Sequence, residues 1–329
     1  MPMLSRRHFA GVVAMGPLAL AAPALAQQRI GPPPHRRGPK VFLDYDQVEL
    51  DAVYDQTAYA PNRQQIEQRM AAASELVRAR LGPPMRLSYG TSEIEQLDLY
   101  RTQAGGREPI QVCIHGGAWR GGSAKGNAFP AEVFVAAGAH YILPDFVAVQ
   151  NAGGNLMVMA DQVRRAIAWV YRNATGFGGD PERIYLSGHS SGAHLAGVAV
   201  TTDWRRDFSL PADVIKGAVL VSGMYDLRGP RLSSRSSYVK FDDSTEEALS
   251  PQRHIDRLVT PLIIAYGSLE TPEFQRQSRD FAAAVKDTGK PVELIRGEGY
   301  NHFEFIETLG NPYSPLARAA LGQMKLAGP

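Results

Sequence analysis

The chain is 329 residues long and holds a single cysteine, Cys113. An intramolecular disulfide is therefore excluded. The apolar flanks of Cys113 in IQVCIHGG read as a strand, which makes its thiol a small buried side chain rather than a nucleophile. Charge of one sign is lacking as well: 35 Lys and Arg stand against 33 Asp and Glu, a net charge of +2. The two signs are interspersed, which leaves no basic face for a nucleic-acid partner. Long apolar runs are missing too. The one candidate, near the amino terminus, is short, mostly alanine and broken by Pro17 and Pro23, so no stable membrane anchor is expected. The eight histidines show neither H-E-x-x-H nor another metal-ligand spacing. The glycine-rich stretch GGAWRGGSAKG lacks the G-x-x-x-x-G-K-S/T spacing of a phosphate loop. No metal and no other cofactor is expected.

What is present begins with SRRHFAGVVAMGPLALAAPALAQ. A basic head with Arg6 and Arg7, an apolar middle and the small-residue end Ala24-Leu25-Ala26 make residues 1–26 a cleavable signal peptide, cut before Gln27. The arginine pair resembles the signal read by the twin-arginine export machinery, which would be a partner during transport. A periplasmic or secreted mature protein is expected. Residues 27–61 read as an amino-terminal leader, Pro- and Gly-rich over 27–40. The body follows from 62 to 329, with apolar residues enough for one large α/β domain.

Within the body, Ile66, Met70, Ala73 and Val77 recur at helical steps until Gly82, Pro83 and Pro84 stop them. The chain then alternates. Short β-type runs lie at 86–90, 97–100, 110–115, 140–145, 183–188, 216–223, 261–267 and 291–297, with helical stretches at 155–174 and 273–289. Closely spaced early runs followed by strand–helix units predict an α/β fold: a mostly parallel eight-stranded sheet, antiparallel at its start, with helices on both faces. Residues 227–255 show no period and are long for a connection, so they read as an insertion, either a lid or a solvated loop.

The stretch YLSGHSSGAHLAG places Ser190 between Gly188 and Gly192, after a strand-like run and before a small-residue helix. Strand, sharp turn and helix are the context in which G-x-S-x-G presents a nucleophile; alone, the spacing marks only a polar turn. A serine hydroxyl needs a base that a third group orients. Glu270 follows one strand and His302 the last, both at the ends where a doubly wound sheet gathers its site. Glu273 and Asp226 are rival acids, and the remaining histidines are less well placed. Gly116 and Gly117, after the third run, with the N–H of Ser191, are candidates for an oxyanion hole. His115, Trp119, His189 and Tyr225 are candidate pocket residues, with Trp119 and Tyr225 equally readable as packing.

HGGAW, FGGDPERIYLSGHSSGAHLAG, LVSGMYDL, ALSP and NHFEF, in that order between Leu87 and Phe305, resemble the motifs of the α/β-hydrolase superfamily. The closer likeness is to its kynurenine formamidase (arylformamidase) and small carboxylesterase branch. The resemblance implies an α/β-hydrolase fold, Ser190 as nucleophile, His302 as base, Glu270 as acid, and Gly116, Gly117 and Ser191 around the oxyanion. Two positions depart from the branch: a Glu stands where Asp is usual, and the elbow reads GHSSG where GHSAG is common. A serine hydrolase of small carboxylic esters is expected, with an arylformamidase or related amidase as the alternative and a non-catalytic binding protein as the second. The partner is then a small-molecule ester or amide.

Overall fold

Short apolar runs bounded by turn residues bury themselves best as strands covered on both faces. The computed structural model describes residues 30–327; the expected signal peptide lies outside them. The strands are β1 (Met85–Ser88), β2 (Gln96–Tyr100), β3 (Glu108–Ile114), β4 (His140–Pro144), β5 (Gly179–His189), β6 (Gly217–Val221), β7 (Leu262–Gly267) and β8 (Val292–Gly297). They form one eight-stranded sheet in the order β1-β2-β4-β3-β5-β6-β7-β8. β2 pairs antiparallel with β1 and β4, and the later neighbours are all parallel. This is the predicted sheet, antiparallel start included.

The helices in chain order are α1 (Gln47–Val53), α2 (Arg63–Leu81), α3 (Ala131–Ala136), α4 (Leu156–Asn173), α5 (Ser191–Val200), α6 (Trp204–Phe208), α7 (Arg228–Leu232), α8 (Asp243–Ala248), α9 (Pro272–Asp287), α10 (His302–Glu307) and α11 (Pro315–Gln323). Successive strand residues point to opposite faces, and that period divides the core. Ala218 and Leu220 of β6 join one apolar cluster with α4, α5 and α9; Val219 and Val221 join the other with α3, α10 and α11. In α9 the buried Phe274, Phe281 and Val285 recur at seven- and four-residue steps, each contributing about 1.5–3 kcal/mol by leaving water.

Two stretches hold short elements that the sequence pattern does not mark. Within the leader at 27–61, Asp46 and Glu49 form a reciprocal cap on α1, which buries Leu50 and Val53. Tyr54, just past its end, donates to Glu273 at 2.9 Å. The insertion at 227–255 holds α7, α8 and three single turns, anchored by buried Val239 and Leu249. Elements of three to seven residues are too short to show a helical period.

Candidate active site

Ser190 sits between β5 and α5 with φ 56° and ψ −123°, outside the comfortable regions for a residue with a Cβ. Such a conformation costs about 1–3 kcal/mol and persists because its surroundings fix it. Its N–H donates to Val221 O at 2.9 Å, tying the turn to β6. The close approach explains Gly192: a Cβ there would run into the carbonyls of Ile114 and His115 at the end of β3.

Glu270 follows β7 and His302 opens α10, so two separate strand ends deliver them. His302 Nδ1 lies 3.0 Å from Glu270 Oε2, with the two residues 2% and 3% exposed. The carboxylate's other oxygen accepts from Ser222 Oγ and from Gly267 N–H, both at 2.6 Å. Burial pushes the Glu270 carboxyl well above the usual range, and these two donors pull it back. Burial likewise pushes the His302 imidazole down, with the charges of Arg235 and Arg63 acting in the same sense. A neutral imidazole with its Nδ1–H given to Glu270 leaves Nε2 able to accept a proton. Asn301 fixes the start of α10 by accepting from the N–H groups of Phe303 and Glu304 at 3.0 Å.

The rival acids are engaged elsewhere. Glu273 is held by Tyr54 and by Arg276, whose Nε is 2.9 Å from its Oε2. Asp226 accepts from Arg228 N–H at 2.9 Å and reaches toward Arg253. Ser222 is the residue that sequence reasoning missed. It follows β6 directly with φ 56°, and its partner lies 48 positions away, with no motif joining the two.

The loop after β3 passes close to the elbow. A Cβ at Gly116 would stand 3.3 Å from Ser190 Cβ. Gly117, Ala118 and Trp119 follow in left-handed conformations, and Gly117, with φ 122°, is exposed. Among the described residues, the N–H groups of Gly116 and Gly117 donate to no protein acceptor. Ser191 opens α5, where a helix leaves its first N–H groups outside its own ladder. Donors without internal partners around Ser190 suit a developing oxyanion.

The candidate pocket residues divide. His189 is half-buried beside His302, its ring 4.5 Å from that imidazole and its Nε2–H donating to the His302 carbonyl at 2.9 Å. Burial and the neighbouring His302 push it down to about 3, so it stays neutral. His115 is buried, stacks on Phe146 at 4.2 Å and donates to Gly116 O at 3.0 Å, steadying the glycine loop. The two aromatic candidates are packing residues instead. Tyr225 is fully buried against Phe281, and Trp119 is buried with its indole N–H on His194 Nδ1 at 3.2 Å.

Comparison with known proteins agrees with this architecture. The BD-FAE family matches residues 97–230. A kynurenine formamidase of Salmo salar is 34% identical over 236 residues, covering 68% of this chain and 76% of that protein. The esterase LipQ of Mycobacterium tuberculosis is 28% identical over 236 residues, covering 63% of this chain and 55% of its own length. Among solved structures, esterase 2 of Thermogutta terrifontis shares the fold with a TM-score of 0.63 at 24% identity, over 76% of this chain and 98% of that one. With the sheet order, the elbow and these relatives in hand, the chain belongs to the α/β-hydrolase superfamily, in the branch of kynurenine formamidases and small carboxylesterases, and is a hydrolase.

Proposed function

We propose that the chain hydrolyses small carboxylic esters through Ser190, His302 and Glu270. The observation that carries the reading is the buried 3.0 Å contact between His302 and Glu270, beside a serine held at φ 56°. Ser190 Oγ attacks the ester carbonyl carbon as its proton passes to His302 Nε2. The carbonyl oxygen becomes an oxyanion that takes hydrogen bonds from the N–H groups of Gly116, Gly117 and Ser191. Collapse expels the alkoxide, which leaves with the proton from His302, and an acyl-serine remains. A water then gives its proton to His302, attacks the acyl carbon and releases the acid, while Ser190 recovers its proton. Glu270 holds the imidazole in the tautomer that presents Nε2 and stabilises the imidazolium.

Cleavage of an N-formyl arylamide is the second reading, favoured by the 34% identity to the Salmo salar kynurenine formamidase. The proposal includes export of the mature chain, supported by the twin-arginine pattern at Arg6 and Arg7. Burst kinetics with p-nitrophenyl esters of short and medium chain length, run beside N-formylkynurenine, test the reading on the mature protein and its Ser190→Ala variant. The expected result is ester turnover that the variant loses, with the activity found in the periplasmic or medium fraction of expressing cells. Turnover that survives Ser190→Ala removes the nucleophile from the scheme. Efficient deformylation without ester cleavage selects the second reading, and activity confined to the cytoplasm removes export.

A further inference from the structure

A helix of a few residues does not hold itself in water, because it makes too few bonds to offset the cost of its first turn. α10, His302–Glu307, is such a helix, and its first residue is the candidate base. The loop that leads into it bends through Gly299 at φ 77°, a conformation that an ordinary side chain resists. The position of His302 is therefore fixed from outside its own element. One hold is the His189 Nε2–H on its carbonyl. A second comes from the start of α2, 239 positions before the cap of α10.

Asn62 occupies the capping position of α2, where an asparagine ordinarily accepts from the first N–H groups of its own helix. It makes no such bond. Its side chain is turned instead to the cap of α10: Asn62 Oδ1 accepts from Asn301 Nδ2 at 2.8 Å, and Asn62 Nδ2 donates to Glu304 Oε1 at 2.7 Å. The ring closes through the Asn301 N–H, which donates to Glu304 Oε2 at 3.0 Å. An amide has one accepting end and one donating end. The buried Asn301 needs its oxygen toward Phe303 and Glu304, whose N–H groups it receives. By taking Nδ2, Asn62 sets which way that amide faces; turned over, it would set N–H against N–H in the turn that carries His302. The next residue adds to the grip, since the Arg63 guanidinium covers the Phe303 ring with Cζ 5.0 Å from its centre. We infer that Asn62 is a positioning residue for the base: it fixes the cap of α10 and thereby the reach of the His302 imidazole to Ser190 and Glu270. The inference rests on the hydrolytic reading above for its effect on turnover, but the hold on His302 can be read without turnover.

Variants of the mature protein, assayed on p-nitrophenyl butyrate well below their thermal midpoints, separate positioning from plain support. Asn62→Ala removes both bonds and is expected to lower kcat and kcat/KM together by about tenfold, with KM unchanged. Asn62→Asp keeps the acceptor for Asn301 but sets a carboxylate oxygen against Glu304, and should fall at least as far. Adding Glu304→Gln to it restores the bond with its direction reversed and should return most of the loss. Arg69→Gln breaks another contact between α2 and α10, the ion pair with Glu307, without touching the cap, and should leave kcat within about twofold. The proton resonance of the His302 Nδ1–H, drawn downfield by its bond to Glu270, reads the hold directly. In Asn62→Ala it should broaden and exchange faster with water, and in the double variant it should recover. Those results together uphold the inference. Turnover and an Nδ1–H signal that are both unchanged in Asn62→Ala overturn it and leave the hydrolase standing. A loss that Arg69→Gln matches, or that the double variant does not recover, overturns it equally, because either marks general support of the helix pair. An Nδ1–H loosened in Asn62→Ala, beside turnover that survives Ser190→Ala, upholds the hold on His302 and removes Ser190 from the scheme.

Discussion

A buried carboxylate keeps its charge only while donors are aimed at it. Glu270 has three groups turned toward it, from Ser222, Gly267 and His302. Replacing it with Gln retains the volume but gives the His302 Nδ1–H a weaker acceptor and exchanges a charged oxygen for an amide. We expect kcat for a p-nitrophenyl ester to fall on the order of ten-thousandfold, the scale of losing the oriented tautomer. Glu273→Gln and Asp226→Asn leave the pair intact and should cost far less; the reverse ranking in steady-state kinetics would move the acid. Ser222→Ala removes one charge-assisted hydrogen bond and is expected to cost about tenfold. The neighbours Glu270 and His302 were readable in the sequence because each closes a strand-like run, and parallel strands bring such ends together. Ser222 was not, because its role is a contact across 48 positions. Nor was the orientation of Trp119 and Tyr225, since an aromatic residue beside a motif does not reveal which way its ring turns.

At the scale of elements, strands and long helices were legible through period, and the short ones were not. α2, α4 and α9 carry enough turns for their apolar faces to repeat; α1, α7 and α8 do not. What marks α1 is its capping pair, Asp46 and Glu49 three residues apart, a cue that does not depend on length. The same helix bears on stability, because Tyr54 at its end joins it to α9. The Tyr54 hydroxyl donates to Glu273 at 2.9 Å and accepts from Gln277 Nε2 at 3.0 Å. Tyr54→Phe therefore leaves a buried carboxylate with one donor fewer and removes one acceptor of Gln277 Nε2, which keeps the Asp226 carbonyl at 3.0 Å. We expect a loss of about 1–3 kcal/mol, read as a lower urea midpoint with the denaturant slope unchanged. An unchanged midpoint would mean that the segment carrying α1 opens before the rest and lies outside the global transition.

Across the whole molecule, the histidines make folding sensitive to acid. Burial lowers the basicity of His115, His140, His189, His194 and His302. His302 and Glu270 shift in opposite senses, so their effects on the pH dependence offset each other. His35, at the surface, shifts upward and is weak. Four imidazoles remain that bind protons more readily in the unfolded chain. Below an ordinary histidine value of about 6.5 the unfolded state takes up protons that the folded state refuses, so stability is full above that pH and falls as pH drops beneath it. The loss continues toward the folded-state values, about 4 for His194 and about 3 for His189. Each proton of difference adds about 1.4 kcal/mol per pH unit to the slope. His194 shows why the folded state refuses: its Nε2–H is committed to Leu249 O at 2.8 Å, and its Nδ1 accepts from the Trp119 indole, so a second proton would face a donor. The urea midpoint should therefore be distinctly lower at pH 5.5 than at about pH 7.5, in the range where ordinary carboxylates are still ionised. A midpoint that holds steady between those two pH values would mean that the buried imidazoles open to solvent, or find acceptors, before the chain unfolds.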